Sequence, residues 1–389
     1  MASAKERFVA GLYSGAAADG VDAAMVALRG RAANVKAREI HHLHRPFPDA
    51  LRRRVLEMTS GACEAAGDVA ELDRDLAAAF ADAAETLIER SGVPREEVTA
   101  VGSSGQTVAL VPGQPGRRLG AVLELAAPAV IAGRTQRPVV SGFAAAHLAA
   151  GAPGGRATAW ADWVLLRDQR LSRVAVHLGA IASLTFLGSG AMAGDVLAFD
   201  AGPGTILIDA LARRFHGRPF DDGGALAARG RPCAPLLNEL LPAPFFALDP
   251  PKTTPPSDWG DAYLERLLAM ARKARCGEAD LLATATELTA RAVARAIGGL
   301  TERPHQVILS GGGAMNIHLA GRIRTLLSPC STVTVEKFGI SLRCRGAVCH
   351  AVLAAATLDA LRSRGRGGTK PAPSPVPGSV TLPPDRGVR

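Results

Sequence analysis

The chain has 389 residues and carries 45 Lys and Arg against 36 Asp and Glu, which gives a formal net charge of +9 at pH 7. Hydrophobic residues make up 48% of the chain and aromatic residues only 4%, so we expect a globular protein whose core is built from Ala, Val and Leu. No uncharged apolar run approaches the roughly 18 residues of a membrane-spanning helix, and the apolar segment 8–12 is too short for a signal peptide. These features predict a cytoplasmic protein without a membrane partner.

The positive charge is spread along the chain and matches no nucleic-acid-binding motif, so we predict no nucleic-acid partner. Part of the excess lies in residues 362–389, which are rich in Gly, Pro and Ser and are expected to form a disordered basic tail. Six cysteines without a Cys-x-x-Cys pair indicate reduced thiols. Cys344, Cys349 and His350 lie close in sequence but lack the second ligand cluster of a zinc site, so no metal is assigned there.

The N-terminal region alternates apolar strands with polar loops. A predicted strand at 8–12 leads through a glycine-containing loop to a second predicted strand at 21–28. This strand–loop–strand order differs from the strand–loop–helix of Walker and Rossmann sites, and neither fingerprint occurs in the chain. An amphipathic pattern then predicts a helix at 64–90. The next predicted strand, 98–102, delivers residues 103–107 to a loop.

The middle of the chain contains the segment that first suggests chemistry. Strands at 173–177 and 181–187 are predicted to form a hairpin joined at Gly179, and 196–200 is predicted as its third strand. This strand ends on Asp200 and is followed by Gly-Pro-Gly at 202–204. Glycines let a backbone approach a ligand closely, but Asp before Gly-Pro-Gly is also an ordinary turn sequence. These residues alone leave both interpretations open.

The C-terminal third contains a second glycine-rich loop. A predicted helix at 281–297 precedes a short strand at 306–309, three consecutive glycines at 311–313 and a predicted helix at 318–327. A glycine loop between a strand and a helix brings backbone N–H groups and a helix N-terminus to an anion or a nucleotide. A flexible turn is the alternative, but three adjacent glycines are costly in conformational entropy, which favours a ligand.

Five motifs occur in a fixed order along the chain. They are Ser-Gly-Ala-Ala-Ala-Asp-Gly-Val-Asp at 14–22, Gly-Ser-Ser-Gly-Gln-Thr at 102–107, His-Leu-Gly-Ala-Ile-Ala-Ser at 177–183, Asp-Ala-Gly-Pro-Gly-Thr at 200–205 and Ser-Gly-Gly-Gly-Ala-Met-Asn at 310–316. In this order they resemble the motifs of the anhydro-N-acetylmuramic acid kinase family, part of the sugar kinase, heat-shock ATPase and actin superfamily. Shorter matches at 218–221, 251–254 and 286–289 extend the resemblance from residue 8 to about 361.

The resemblance implies an α/β fold with two ribonuclease-H-like (actin-like ATPase) domains flanking a nucleotide cleft. The first domain is expected at 1–125 and 340–361, and the second at 126–339. ATP and Mg²⁺ are the implied cofactors, a small-molecule sugar is the implied substrate, and a homodimer is left open. The implied reaction phosphorylates 1,6-anhydro-N-acetylmuramic acid and opens its anhydro ring with water, giving N-acetylmuramate 6-phosphate in cell-wall recycling.

The resemblance also assigns roles to individual residues. Asp200 is the expected catalytic base for the attacking water. Gln106 and Thr107 are expected to bind the sugar, and Asp19 to lie near Mg²⁺. The expected nucleotide- and phosphate-binding residues are Gly15, Ala16, Ala17, Asp19, Gly20, Asp22, Gly202, Gly204, Gly311, Gly312, Gly313 and Asn316.

Several positions depart from the family pattern. Ala16 and Ala17 replace Thr and Ser, Ser104 replaces His, and the segments 124–127, 142–147, 153–159 and 342–347 also differ, among them the family's Gln at 124 and its Glu at 346. Each lost hydrogen-bonding partner typically costs about 1–3 kcal/mol. An alternative hypothesis is therefore a catalytically impaired pseudokinase that binds a ligand or a partner, since fold resemblance alone assigns no activity.

Overall fold

The structure is a computed structural model that describes residues 6–61, 65–114, 117–152, 154, 156–364 and 378–385. The chain divides into two compact units, Met1–Leu165 with Phe338–Arg389, and Leu166–Lys337. Each unit contains its own main sheet. Over the described ranges, no helix combines the length and the apolar character that crossing a membrane requires.

The strands predicted at 8–12, 21–28, 98–102, 173–177, 181–187 and 306–309 are confirmed, with ends shifted by one or a few residues. Within the described ranges the strands are β1 Arg7–Tyr13, β2 Gly20–Arg29, β3 Lys36–Pro46, β4 Val98–Ser103, β5 Gln106–Val111, β6 Ala121–Leu125, β7 Val139–Ser141, β8 Arg173–Leu178, β9 Ile181–Leu187, β10 Leu197–Pro203, β11 Gln306–Ser310, β12 Ser331–Thr334 and β13 Ser379–Thr381.

The helices predicted at 281–297 and 318–327 are also confirmed. The helix predicted from residue 64 begins at Ala66, because the backbone of Ala65 before it is extended, and residue 64 itself lies outside the described ranges. The α-helices are α1 Asp49–Thr59, α2 Ala66–Arg90, α3 Pro128–Thr135, α4 Phe143–Ala149, α5 Thr158–Leu166, α6 Ile206–His216, α7 Ala234–Leu240, α8 Pro244–Ala247, α9 Asp261–Lys273, α10 Glu278–Gly298, α11 Ile317–Leu327 and α12 Arg345–Arg364.

The main sheet of the first unit has the strand order β13-β7-β4-β1-β2-β3. Strands β1, β2 and β3 pair antiparallel, whereas β4 runs parallel to β1 and β7 parallel to β4. All residues of β2 except Arg29 are buried, because α2 and α12 both pack against this strand. A continuous apolar run is the pattern expected of a strand in this position.

The second unit repeats this arrangement with the strand order β10-β9-β8-β11-β12. Its first three strands pair antiparallel, β11 runs parallel to β8, and β12 runs parallel to β11. Apart from the added edge strand β13, the order and the strand directions match those of the first unit. Three antiparallel strands beside two parallel ones, in this order, define the ribonuclease-H-like arrangement. The predicted α/β fold with two such domains is confirmed.

Small residues let α12 lie directly on the first sheet. A Cβ at Gly11 would come within 1.9 Å of the Ala347 carbonyl oxygen, so only glycine allows this contact. At Gly346 an added Cβ would lie 2.5 Å from the Tyr13 ring. Tyr13 thus fills the space that a longer side chain at 346, such as the family's glutamate, would need.

Two predicted boundaries differ from the structure. The predicted domain boundary after residue 125 falls inside the first compact unit, because β7 pairs with β4 of that sheet and the unit continues to Leu165. The prediction of disorder for 362–389 is wrong for part of the tail, since α12 extends to Arg364 and Ser379–Thr381 pair with β7 as β13. Residues 365–377 and 386–389 lie outside the described ranges.

Candidate functional site

The loop between β1 and β2, residues 14–19, is the first predicted ligand loop. The Ala18 N–H donates to the Gly15 carbonyl at 3.1 Å and closes a turn, and Ala18 itself has a left-handed φ of 47°. Gly20 follows with φ +147°, where a Cβ would lie 2.3 Å from the Arg45 carbonyl oxygen. Residues 15–17 and Asp19 are partly exposed, so the turn is accessible to a ligand.

Gln106, expected to bind the sugar, holds this loop in place. Its side chain is 1% exposed. The Ser14 hydroxyl donates to Oε1 at 2.6 Å, and Nε2 donates to the carbonyl oxygens of Gly15 at 3.3 Å and Thr107 at 3.1 Å. The amide is thus engaged within the protein. Thr107 is partly exposed and pairs with Glu124 across the β5–β6 hairpin.

Glu124 was singled out in the sequence only as a departure from the family pattern. It lies in β6, and its Cβ is close to Gly105, where an added Cβ would meet it at 3.3 Å. Burial raises the pKa of the Glu124 carboxyl to about 7, because the ionised form loses solvation. Glu124 therefore changes its charge near neutral pH beside Thr107, an expected sugar-binding residue.

Arg343 joins Asp19 and Asp22. In the sequence it stood out only as part of the segment 342–347, which differs from the family pattern. The Arg343 guanidinium donates to the Asp19 carboxylate and, through Nε at 2.8 Å, to Asp22 Oδ1. His44 Nδ1 also contacts Asp22 Oδ1 at 2.8 Å, and its Nε2 lies 3.3 Å from Arg343 Nη2. We call these four residues the Arg343 cluster.

The Arg343 cluster does not fit a magnesium site. The Arg343 guanidinium donates to both carboxylates expected near the metal, so it occupies one oxygen of each and takes the place of the positive charge that a dication would supply. Among the described residues, no group of three or more His, Cys, Asp or Glu side chains is arranged to hold a metal ion. The role expected for Asp19 beside Mg²⁺ therefore disagrees with the geometry of this loop.

In the second unit, Asp200 lies within β10 and not at the end of a strand before a turn. The pairing with β9 shifts register between Asp200 and Gly202, which is a β-bulge, and Gly202 has φ +143°. A bulge redirects side chains and is frequent beside active sites. The prediction that the strand ends on Asp200 is wrong, because the strand continues to Pro203.

Asp200 is held by a segment that the sequence marked only as a short match. The side chain is 1% exposed, and its Oδ2 accepts from the Thr253 hydroxyl at 2.7 Å and from the Thr254 N–H at 3.1 Å. The Asp200 N–H donates to the Lys252 carbonyl at 2.9 Å. The Pro-Lys-Thr-Thr match at 251–254 was therefore the available signal for these partners.

Gly204 is required by packing within the second unit. Its N–H donates to the Ala180 carbonyl at 2.8 Å, and the Thr205 N–H donates to Gly179 at 2.8 Å. A Cβ at Gly204 would lie 2.0 Å from the Gly179 carbonyl oxygen. The residues just before α6 thus bind the β8–β9 turn of the same unit, and the expected contact of Gly202 and Gly204 with a nucleotide stays a prediction.

The glycine triplet combines packing with exposure. Added Cβ atoms at Gly311 and Gly313 would lie 2.7 Å from the Leu178 carbonyl oxygen and from Thr205 Cγ2 respectively. At Gly312 nothing lies within 4 Å, and the residue is exposed. The following Asn316 accepts from the Leu319 N–H at 2.9 Å and caps α11. Within this loop, Gly312 is the glycine that leaves room for a ligand.

Comparison with known proteins identifies the family. A family model described as anhydro-N-acetylmuramic acid kinase matches residues 7–380. The chain belongs to the anhydro-N-acetylmuramic acid kinase family. An anhydro-N-acetylmuramic acid kinase from Salinibacter ruber is 38% identical over 356 residues, which cover 90% of this chain and 89% of that protein. One from Gloeobacter violaceus is 37% identical over 363 residues, 93% and 94% of the two chains. The resemblance read from the five motifs is confirmed.

Two solved structures that resemble this member of the anhydro-N-acetylmuramic acid kinase family share much less sequence with it than these relatives do. A ROK family glucokinase from Streptomyces griseus, solved with glucose and AMPPNP, shares 15% identity and covers 89% of this chain at a TM-score of 0.38. A PilM–PilN type IV pilus biogenesis complex shares 14% identity and covers 90% at a TM-score of 0.42. These scores are too low to add to the argument, so the strand order carries the fold assignment. As a family member the protein is a sugar kinase.

Proposed function

We propose that this kinase transfers the γ-phosphoryl group of ATP to 1,6-anhydro-N-acetylmuramic acid and opens the anhydro ring with water. The observation that carries the proposal is the family match over residues 7–380, together with relatives of that name that are matched over 89% and 94% of their length. Water adds to C1 of the sugar and the C1–O6 bond breaks. The freed O6 takes the phosphoryl group, ADP leaves, and the product is N-acetylmuramate 6-phosphate.

Asp200 is the proposed base that takes the proton of the attacking water. Positioned carboxylates contribute about 10²–10⁴-fold as general bases. Two donors, the Thr253 hydroxyl and the Thr254 N–H, fix Oδ2, and the bulge in β10 sets the direction of the side chain. Thr253 and Thr254 are proposed as positioning residues, since they act through Asp200.

In each unit, one of the predicted glycine loops has the exposure that a ligand contact needs. In the first unit, the partly exposed turn at 15–17 would face phosphate oxygens. In the second unit, Gly312 leaves open space beside Met315 and Ile317, which are 53% and 74% exposed. Exposed apolar side chains next to an open backbone suit a nucleoside base. Because the Arg343 cluster does not fit Mg²⁺, no step of this mechanism is assigned to the metal.

The proposal is tested with the purified full-length protein, ATP, Mg²⁺ and 1,6-anhydro-N-acetylmuramic acid. We expect ADP release that depends on the sugar, and a sugar phosphate identified by mass spectrometry. Asp200→Asn should lower kcat by about 10²–10⁴-fold. Asp261→Asn, at an exposed carboxylate in the first turn of α9, is the matched control and should leave kcat unchanged.

The second candidate function is a pseudokinase, and a specific observation favours it. Arg343 engages both Asp19 and Asp22, and Ala16 and Ala17 provide no hydroxyls to phosphate oxygens. Sugar binding without sugar-dependent ADP release would support this function and contradict the kinase proposal. The homodimer stays a separate prediction, which light scattering of the purified protein would test.

A further inference from the structure

Arg343 brings a permanent positive charge to the β1–β2 loop. It reaches the Asp19 carboxylate with one guanidinium nitrogen and Asp22 with another. Burial alone would lower the pKa of Arg343, but the neighbouring Asp22 and Asp19 outweigh it and raise that pKa. The guanidinium is therefore charged at every pH at which the protein is studied.

The Arg343 cluster is open towards solvent on the side of Asp19. The Asp19 side chain is 45% exposed and that of Arg343 is 28% exposed, whereas Asp22 is only 12% exposed. Asp22 and His44 therefore hold the guanidinium on its less exposed side. The side next to Asp19 stays accessible from the β1–β2 loop. Arginine presents several donors in a rigid fork that matches phosphate oxygens.

A second guanidinium approaches the same turn from α1. Arg52 Nη2 donates to the Ala17 carbonyl at 3.4 Å. Its Nε is buried and has no hydrogen-bond partner among the residues that the structure describes. The Arg52 guanidinium thus lies against the backbone of this turn. At the same turn the family has two hydroxyl side chains, which Ala16 and Ala17 replace in this chain.

We infer that Arg343 supplies the cationic contact for the nucleotide's phosphates at the β1–β2 loop, with Arg52 as a second donor, so that ATP binds there without requiring Mg²⁺. The inference rests on the proposed kinase function. It follows from the disagreement between the cluster and a metal site: the charge that a dication would bring to Asp19 is already provided by the protein. Guanidinium–phosphate contacts also replace the missing hydroxyl donors of the turn.

The inference is tested by calorimetric titration of the full-length protein with ATP, once with Mg²⁺ and once with EDTA. We expect dissociation constants that agree within about threefold under the two conditions. Arg343→Gln should weaken ATP binding by about 10–100-fold under both, because a charge-assisted hydrogen bond is lost. Arg343→Lys should recover part of the affinity. Arg45→Gln is the control and should bind ATP like wild type. Arg45 lies in β3 of the same unit and pairs with Asp82 of α2.

Asp19→Asn is a second variant, and its effect on ATP affinity is expected to differ in sign from that of Arg343→Gln. It keeps the inference testable even if Arg343→Gln misfolds. If Asp19 only neutralises Arg343, this variant keeps or strengthens ATP binding, since one negative charge is removed. If Asp19 ligates a metal, the variant loses affinity with Mg²⁺ and not with EDTA. A Mg²⁺-specific loss of ATP affinity in Asp19→Asn would overturn the inference and leave the kinase proposal standing. The same holds if ATP binding requires Mg²⁺ and Arg343→Gln leaves it unchanged. A wild-type protein that binds no ATP under either condition would overturn both.

Discussion

At the residue scale, several side chains that the motifs single out serve the protein's own loops. Gln106 secures residues 14 and 15, and Asn316 caps α11. Motif position alone cannot distinguish such contacts from contacts to a ligand, because both need a polar side chain beside a glycine loop. The pairing of Arg343 with Asp19 was equally hidden, since the two residues are far apart in sequence and no local pattern joins them.

Glu124 carries a prediction at this scale. Burial raises its pKa from 4.5 to about 7, so the folded protein binds a proton that the unfolded chain releases between these values. The contribution of Glu124 protonation to the free energy of unfolding is fully present below pH 4.5 and is lost as the pH rises through about 7. Glu124→Gln, which restores the family's residue, should therefore match wild type near pH 4 and be more stable by roughly 1–3 kcal/mol at pH 8.

Chemical denaturation of both proteins across this pH range measures the difference. The exposed Glu89→Gln, at the end of α2, is the matched control and should show no pH-dependent difference. A constant difference between Glu124→Gln and wild type at all pH values would contradict a raised pKa at Glu124.

At the element scale, the periodicity of apolar residues placed some of the strands and helices, whereas others, such as β3 and α9, were not predicted. The strand β2 and the helix α10 were both identified from their apolar patterns alone. The bulge at Asp200 was not, because a Gly-Pro-Gly sequence fits a turn as well as a strand whose register shifts. The edge strand β13 was missed because its three residues gain their pairing only from β7, distant in sequence.

Gly204, which is tightly packed, and Gly312, which has open space beside it, give a paired prediction. Gly204→Ala would place Cβ 2.0 Å from the Gly179 carbonyl oxygen and should cost about 1–3 kcal/mol of stability. Gly312→Ala meets no atom within 4 Å and should leave stability nearly unchanged. It should instead weaken ATP binding, since the added methyl enters the space proposed for the nucleoside. Denaturation and calorimetry of both variants check this, and equal stability losses would contradict the distinction.

At the scale of the whole molecule, the same strand order occurs twice, and the family match spans residues 7–380. The order of the motifs was enough to predict this fold and family. The limits of the two units were not predictable from composition, because β7 joins the first sheet through pairing with β4 and no linker marks the boundary. The proposed sugar kinase reaction is the central claim at this scale.

The most direct test of that claim follows the oxygen of the attacking water. The purified protein is incubated with ATP, Mg²⁺ and 1,6-anhydro-N-acetylmuramic acid in ¹⁸O-labelled water, and the products are analysed by mass spectrometry. We predict a sugar phosphate with one ¹⁸O at C1 and none in its phosphate group, because water attacks the sugar and O6 takes the phosphoryl group. ADP accompanied by labelled inorganic phosphate and an unchanged sugar would contradict the account.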